Sequence, residues 1–446
     1  MKSAASSSAR QRPGLRARLA ASMSDPVLRA LVTSTAVSRI GRGVFLTVTV
    51  LFFTQIIGLS PAQAALVLAV SSGFGVVASL LGGWLADRWS ARRLSFVFEA
   101  LGGLLLAAYA FAGDFVSALV LASLSGFFDS IAHSSRSAII ARGFAADRRV
   151  HARAVLRTIT NVSIAIGGAV AAIALALGTA EAYRTVIVAA GVLCTIGSFP
   201  LLRLTAAVDA PPRPVVAPVL TATGSIDADA VAAAVATEKR DWRRRSPWRD
   251  PRYLVLTVLS AVFGMQFGVA ELGVPLWITE QTEAPAVIVS VLLITNTTLV
   301  VLFQVRASRG THDVRTAGRV TMIAGWLMAA ACIVYALAAG LPAWVAIVVL
   351  IIAMIAHTFA EILSQAGAWG LSFELADPVR AGAYQGVFGM GFSLGALFSP
   401  IVVNATAITF GFAGWGMLAL IFLAAAFGIW LIARRAAASA PVAEAV

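Results

Sequence analysis

The chain has 446 residues, of which 59% are hydrophobic and only 12% are charged, and its formal net charge is +13. Soluble domains carry roughly 45–50% apolar and about 25% charged residues, so this composition excludes an ordinary soluble protein. The excess of basic residues first suggests a nucleic-acid partner, but their placement, described below, argues against one. The two cysteines, Cys194 and Cys332, lie in apolar runs without the spacing of a metal site.

Apolar segments long enough to cross a bilayer, which takes roughly 20 residues, recur along the chain. The first six are predicted at 28–57, 62–86, 94–112, 115–141, 154–178 and 185–206. The other six are predicted at 253–279, 285–305, 319–339, 342–373, 381–409 and 412–433. The predicted fold class is therefore an all-α membrane protein with twelve transmembrane helices.

A polar stretch at 207–252 separates the twelve segments into two sets of six. We expect a basic N-terminal tail at 1–27, a first six-helix bundle at 28–206, a linker with a short surface helix at 227–240, a second bundle at 253–433 and a C-terminal tail at 434–446. Two six-helix halves of this kind are typical of transporters with internal repeats.

The basic residues set the orientation. Among the loops that fall on the side opposite the N-terminus, only one contains a basic residue, Arg184, whereas all other loop Lys and Arg lie on the N-terminal side. This bias is the positive-inside pattern of membrane proteins. We therefore expect a multi-pass cell-membrane protein with both termini in the cytoplasm, whose partner is the lipid bilayer and not nucleic acid.

The turn between the second and third segments reads GGWLADRWSARRL over residues 82–94. Gly83 is followed at fixed spacing by Asp87, Arg88, Arg92 and Arg93. Small residues let helices approach closely, and a carboxylate among arginines can form charge-assisted hydrogen bonds. The pattern predicts a tight, charged contact at the cytoplasmic face.

This turn resembles the signature loop G-x-x-x-D-R-x-G-x-R-R of the major facilitator superfamily, although Ser90 stands where that family usually has Gly. Residues 306–315 resemble a degraded copy of the loop, and residues 375–400 resemble the helix 10–11 region of bacterial members. The resemblance covers nearly the whole chain and is nearest to bacterial efflux and uncharacterised members. It implies two bundles that rock around a central cavity lined by helices 1, 4, 7 and 10.

The same resemblance assigns a role to the turn. It implies that Asp87 belongs to a cytoplasmic gate, together with Gly83, Arg88, Arg92 and Arg93, and lies against the start of the eleventh helix. Two departures concern the drug:proton antiporter branch of the family. Ser123 stands where that branch usually has Arg, and Gly167-Gly168 lacks the proline of its Gly-Pro motif. Both departures argue against proton-coupled drug antiport without excluding efflux.

The glycines of the eleventh segment include a hydrolase-like pattern. Residues 391–395 read GFSLG, which matches the nucleophile elbow G-x-S-x-G, but that chemistry needs a strand before it and a histidine after it. The last histidine is His357, and the pattern lies in a predicted membrane helix. Gly386, Gly391 and Gly395 are therefore predicted to pack helices together.

Ionisable side chains inside the predicted helices are the candidates for a solute site, because each costs roughly 2.5–3.5 kcal/mol on insertion. The residues expected to line the cavity fall on helices 1, 4, 7 and 10: Arg39, Arg42, Asp129, His133, Gln266, Glu271, His357 and Glu361. His357 fits a hydrogen-bonded core residue equally well. Since Arg42 and Asp129 lie at the same depth, we expect Asp129 to reach Arg39 or Arg42.

A second set of polar residues lies nearer the cytoplasm and is predicted to hold helices together. These residues are Glu99, Arg136, Arg157 and Asn161. The matching depths of Glu99 and Arg136 predict an ion pair between them.

The sequence favours a secondary transporter that moves a small organic solute by alternating access, with export preferred. An uptake carrier for a metabolite or sugar is the alternative within this class. Two rival hypotheses belong to other classes. A polytopic membrane enzyme would need a nucleophile, a metal or an acid–base pair at a membrane face, and the sequence indicates none. A non-transporting sensor would not need the charged cavity that the sequence predicts. We expect no catalytic residue, no metal and no cofactor. We also expect a monomer, and the sequence leaves open whether a proton gradient drives transport.

The topology can be tested with small tags. Tags inserted at position 225 and after position 446 should be reached only in permeabilised cells, and a tag at position 282 should be reached in intact cells, because basic loops stay inside. Labelling at position 225 from outside intact cells would contradict the twelve-helix topology.

Overall fold

The computed structural model describes residues 24–209, 237, 242 and 244–439. Residues 1–23, 210–236, 238–241, 243 and 440–446 lie outside the described residues. They include most of the N-terminal tail, most of the linker and, except for residue 237, the predicted surface helix at 227–240. Within the described part the regular elements are helices. Eleven helical stretches there are long and apolar enough to cross a membrane, and the last one runs over 62 residues from Pro378 to Ser439.

The first half contains six long helices. They are α1 (Pro26–Leu51), α2 (Pro61–Ala86), α3 (Ala91–Ala108), α4 (Phe115–Gly143), α5 (Ala146–Leu177) and α6 (Ala180–Ser198). The chain continues helically past α1 as a π-helical turn, Phe52–Ile56, and past α6 as a 3-10 turn, Phe199–Arg203.

The second half repeats this pattern. Its helices are α7 (Pro251–Gln281, with a π-helical turn at Val269–Gly273), α8 (Ile288–Ala307), α9 (Val314–Leu337), α10 (Ala343–Glu374), α11 (Ala381–Val403) and α12 (Thr409–Ser439).

The long stretch Pro378–Ser439 contains two of these helices, α11 and α12. Gly411 has φ +54° and ψ −128°, a conformation that residues with a Cβ rarely adopt, and it breaks the helix. Three residues later, Gly414 lies against the backbone of Thr406, where a Cβ would collide. The two glycines therefore let the chain reverse tightly, so that the described residues contain twelve long helices, as the sequence predicts.

Side chains that cap helix N-termini fix where several helices begin. The carboxylate of Asp25 accepts hydrogen bonds from the backbone N–H groups of Val27 and Leu28, and Asp250 accepts one from Tyr253. Such caps satisfy N–H groups that have no partner within the helix. Leu28 of α1 packs in one cluster with Phe373 and Ala381, and the Tyr253 hydroxyl of α7 donates to the Ser372 carbonyl at 3.1 Å, so the two halves start at the same face of the bundle.

One correction concerns the start of α5. The sequence predicts this helix at 154–178, whereas the structure begins it at Ala146. The residues 146–153 are polar and basic, so they carry no membrane signal, yet their backbone continues the helix beyond the apolar run. Arg149 and Arg153, expected in a loop, are therefore helical residues on the same helix as Arg157.

Among the described residues, the two halves share an apolar cluster at one end of the molecule only. We call this end the terminal face, because α1 and α7 begin there and α12 ends there. Side chains of the first half, including Leu85 and Ile140, form one apolar cluster there with Trp369, Phe373 and Ala381 of the second half. At the opposite end, which we call the far face, each half has its own cluster. The halves are therefore closed against each other at the terminal face.

Glycines allow the closest approach between the halves, where α2 meets α11. A Cβ on Gly83 would collide with the backbone of Gly382 and Gly386, and a Cβ on Gly386 would crowd Ser79. Close contact of this kind replaces the hydrophobic driving force that is lacking between helices in lipid. Gly386 thus packs helices together, as predicted from the sequence.

The remaining glycines of this set pack α11 within the second half. A Cβ on Gly391 would meet Thr257 of α7, and a Cβ on Gly395 would meet the backbone of Ala261. The GFSLG pattern therefore lies on a helix–helix contact.

Inside the first half, Glu99 of α3 and Arg136 of α4 form a buried ion pair, as their matching depths predict. Arg136 also donates hydrogen bonds to Thr35 Oγ1 (2.9 Å) and Ser34 Oγ (3.4 Å) of α1. One guanidinium thereby joins three helices, which makes this pair a structural element of the first bundle.

Replacing Glu99 by Gln should destabilise the purified protein strongly. The change leaves Arg136 buried without an anion, which typically costs about 3–5 kcal/mol. Thermal unfolding in detergent should show a clearly lower Tm for Glu99→Gln. The matched control is Glu283→Gln, at an exposed side chain on the far face, whose Tm should stay near that of the wild type. Equal Tm values for the two variants would contradict a structural role of the pair.

Candidate functional site

A cavity of about 400 Å³ lies between the two halves. Its volume falls in the range of small-molecule sites. Polar and charged side chains line it together with aromatic ones. The lining side chains used below are Arg39, Asp129, His133, Arg136, Ser137, Arg153, Arg157, Asn161, Gln266, Trp369, Phe388 and Phe392. They come from α1, α4, α7 and α10, as expected, and also from α5 and α11.

The floor of the cavity is part of the core that closes the terminal face. Ile140, Leu156 and Trp369 line the cavity and also belong to the apolar cluster shared by the two halves. Since the halves have separate cores toward the far face, the cavity is blocked on the terminal side. A solute would therefore meet this conformation from the far side.

Asp129 of α4 lies between two arginines of α1. Its carboxylate oxygens are 3.7 Å from Arg39 Nη1 and 3.8 Å from Arg42 Nη2, as the depths along the sequence predict. Its side chain is 41% exposed. At these separations the three groups attract one another without tight hydrogen bonds. The cluster is loose and carries one excess positive charge.

A tighter ion pair connects the two halves. Arg157 of α5 binds Glu361 of α10, whose second carboxylate oxygen accepts a hydrogen bond from Asn296 Nδ2 of α8 at 2.9 Å. The guanidinium also lies over the ring of Phe267, 5.2 Å from its centroid. Glu361 is buried, so the pair is protected from water and salt. The sequence assigned Arg157 to helix packing, and the structure places it on the cavity wall between the bundles.

Arg153 lies one helical turn before Arg157 and lines the same cavity. Its Nη1 donates a hydrogen bond to Ser137 Oγ at 2.7 Å, and its guanidinium lies 5.6 Å from the centroid of the Trp369 ring. Within the described part of the chain, no carboxylate lies within 4.0 Å of its nitrogen atoms. Arg153 is thus a cation of the cavity that lacks an ion-pair partner there.

The other predicted cavity residues lie in different surroundings. His133 faces the cavity, and Gln266 also lines it while its Nε2 donates to Ser364 Oγ at 3.0 Å. His357 is buried away from the cavity lining, 3.4 Å from the Tyr335 hydroxyl. Glu271 is exposed in the π-helical turn of α7 and does not line the cavity. Of the set predicted as structural, Arg136, Arg157 and Asn161 line the cavity, and Glu99 does not.

Asp87, the residue predicted to belong to a cytoplasmic gate, lies at the end of α2. Its two carboxylate oxygens accept hydrogen bonds from the backbone N–H groups of Gly382 and Ala383, both at 2.7 Å. These N–H groups belong to the first turn of α11, where they have no partner within the helix and the helix dipole is positive. Asp87 also binds Arg142 of α4 and is only 4% exposed. One carboxylate therefore joins the two halves at the terminal face.

The arginines beside Asp87 have other partners. Arg88 stacks on Trp84 at 3.6 Å, Arg92 binds the Asp209 carboxylate at 3.1 Å, and Arg93 is exposed. These neighbours were expected to surround the carboxylate, and the structure gives that place to Arg142. Ser90, the departure from the family pattern, donates to Asp209 at 2.8 Å and caps α3. It thereby anchors the start of the linker.

Sequence reasoning did not single out Arg142 or Arg153, although the sequence contains a signal for Arg153. Arg149, Arg153 and Arg157 recur every four residues, which places them on one face once the helix starts at Ala146. No comparable signal pointed to Arg142, because its contact with Asp87 depends on how α4 packs against α2.

Comparison with known proteins gives the family. Residues 31–400 match the model of the Major Facilitator Superfamily. No curated protein matches the sequence. The fold is similar to that of the human organic anion transporter TETRAN, with a TM-score of 0.66 at 15% identity over 91% of this chain and 99% of that one.

Two further transporters of known structure have the same fold. The proton:xylose symporter XylE aligns with a TM-score of 0.66 at 14% identity, over 92% of this chain and 96% of that one. A bacterial homologue of the iron transporter ferroportin, in its outward-facing state, aligns with a TM-score of 0.65 at 12% identity, over 92% and 98%. The family match and the twelve-helix fold around a central cavity agree: this chain belongs to the major facilitator superfamily and is a membrane transporter, not an enzyme.

Proposed function

We propose that this transporter carries a small organic solute across the cell membrane by alternating access, and that it works as an exporter. The observation that supports alternating access is the uneven contact between the halves. A shared core and the Asp87 contact close the terminal face, whereas the halves have separate cores toward the far face. A rocking motion that separates the first contact would open the cavity to the other side.

The proposal places the terminal face in the cytoplasm, because the basic loops lie there. The conformation described above is then outward-facing. The preference for export comes from the resemblance of the chain as a whole, which is nearest to bacterial efflux and uncharacterised members. Uptake of a metabolite stays the alternative within the same mechanism, and the protein is proposed to act as a monomer driven by a proton gradient.

Flux measurements test this function directly. The purified chain in proteoliposomes should accelerate the exchange of at least one solute that a deletion strain accumulates or becomes sensitive to, and an imposed pH gradient should speed net movement. Accumulation in the deletion strain supports export, whereas failure to take the solute up supports uptake. Absence of any solute flux, with protein that is folded and oriented, would contradict the transporter mechanism.

Asp87→Asn should slow transport while leaving solute binding nearly unchanged. The amide keeps the shape of the side chain but loses its charge, which weakens the contacts with α11 and Arg142. A change of about 1.4 kcal/mol in one of the two conformations shifts their ratio about tenfold, so we expect a loss of transport rate of that order. Flux and binding should be measured on the same preparation.

The matched control for this variant is Asp147→Asn, at an exposed carboxylate in the first turn of α5 on the same face. It should transport at the wild-type rate. If Asp87→Asn also transports normally, the carboxylate is dispensable for transport and the gate assignment fails.

Arg157 and Glu361 should be coupled energetically across the two halves. Glu361→Gln leaves Arg157 without its anion, and Arg157→Gln leaves a buried carboxylate, so each single variant should unfold at a lower temperature. The double variant should recover part of the loss, since neither charge is then left alone. A coupling energy of about 0.5–3 kcal/mol is typical of residues in contact. Strictly additive effects would show that the pair does not connect the halves.

A further inference from the structure

We propose that the cavity binds its solute through an anionic group of the solute, and that Arg153 is the residue that holds this group. The inference rests on the proposed transport function of the same cavity, whose solute it assigns to the class of small organic anions with an apolar or aromatic body.

The charges around the cavity do not balance. Arg136 is neutralised by Glu99, and Arg157 by Glu361. Asp129 faces both Arg39 and Arg42, so this cluster retains one positive charge. Arg153 adds a second, because no carboxylate of the described residues lies within 4.0 Å of it. With histidines counted as neutral, the cavity and its immediate wall carry two more positive than negative charges.

An excess of positive charge on the wall of a cavity between the two halves needs a reason. A charged side chain withdrawn from bulk water is costly unless a partner compensates it. The paired arginines show how this protein compensates structural cations, namely with a carboxylate on a neighbouring helix. Arg153 has instead a hydroxyl, Ser137 Oγ, and an aromatic face, Trp369. Neither neutralises its charge, whereas an anionic ligand would.

The position of Arg153 suits a ligand contact. It lies seven residues after the start of α5, which is roughly 10 Å along the helix at 1.5 Å per residue. Its side chain lines the cavity and is not confined to a contact between helices. The Ser137 hydrogen bond and the Trp369 ring hold one side of the planar guanidinium. The other N–H groups stay available for the fork-shaped contact that arginine makes with carboxylate, sulfonate or phosphate.

The remaining walls indicate the rest of the solute. Trp369, Phe388 and Phe392 supply aromatic surface, and Gln266 supplies an amide at the cavity wall. Sites for small organic molecules typically combine apolar walls with a few polar groups that fix orientation. An aromatic or aliphatic body with one anionic head therefore fits this cavity, whereas an organic cation would face uncompensated repulsion from Arg153.

Charge selectivity in binding tests the assignment. Purified full-length protein is titrated with benzoate, phenylacetate and naphthoate, and with the amide and the ammonium counterpart of each acid, while its thermal unfolding is followed. The carboxylates should raise the Tm and the amides and ammonium compounds should not. Stabilisation by the neutral or cationic counterparts at equal concentration, or by no carboxylate, would overturn the proposal.

Variants at position 153 show whether this arginine is responsible. Arg153→Gln should weaken carboxylate binding about tenfold or more, since a hydrogen-bonded charge is removed. Arg153→Lys should keep most of the preference, and Arg153→Glu should shift it toward the ammonium compounds. If Arg153→Gln fails to fold, Arg153→Lys and Arg153→Glu still test whether the charge at position 153 sets the preference for carboxylates. A selectivity that is the same in every folded variant would show that Arg153 only braces α5 against Trp369.

The matched control is Arg148→Gln. Arg148 lies on the same helix, is 51% exposed and pairs with Asp25 outside the cavity. This variant should keep the wild-type selectivity. Flux separates the two hypotheses: carboxylate binding without flux of any solute would leave the anion site standing and contradict the transport function. Flux of neutral solutes without any preference for carboxylates would support the transport function and contradict the anion site.

Discussion

The carboxylate of Asp87 is bound at once by two backbone N–H groups of α11 and by Arg142 of α4, and the closed terminal face depends on this contact. The contact unites three helices from two halves around a single negative charge. It requires that α2 and α11 touch, which the glycines at 83, 382 and 386 allow because a Cβ at any of them would collide with the partner helix. The shared apolar cluster and the cavity floor follow from this close approach.

The charged groups above that seam fall into two kinds. Glu99 with Arg136, and Arg157 with Glu361, are paired directly, and their burial makes the loss of either partner costly. Arg39 and Arg42 lie 3.7 and 3.8 Å from the Asp129 carboxylate, Arg153 has no carboxylate of the described residues within 4.0 Å, and these four charges are unequal in sign. Groups of the first kind hold helices or halves in place. Those of the second kind keep unsatisfied charge facing a water-accessible cavity, where a ligand can compensate it.

A switch between two conformations needs contacts that hold without trapping either state. Hydrogen bonds from a helix N-terminus to one carboxylate are of moderate strength and can be exchanged for water when the helices separate. The apolar cluster at the terminal face is built from many small contributions, so we expect it to separate only when both halves move as units. The terminal face is therefore held closed by a few polar contacts together with a broad apolar contact between the halves.

The sequence by itself determined the twelve helices, the polar linker, the clustering of the basic loops at one end of the molecule and the glycine–aspartate turn, because hydropathy and charge placement act locally and need no knowledge of helix neighbours. It also placed Glu99 near Arg136 and Asp129 near Arg42, since equal depth in a membrane limits which side chains can meet. Only the tertiary structure decided that Arg142 binds Asp87, that Arg157 joins the halves, and that Arg153 faces the cavity with no carboxylate of the described residues within 4.0 Å. Depth leaves the rotation of each helix free, and which face turns toward the cavity is fixed by the packing of all helices together.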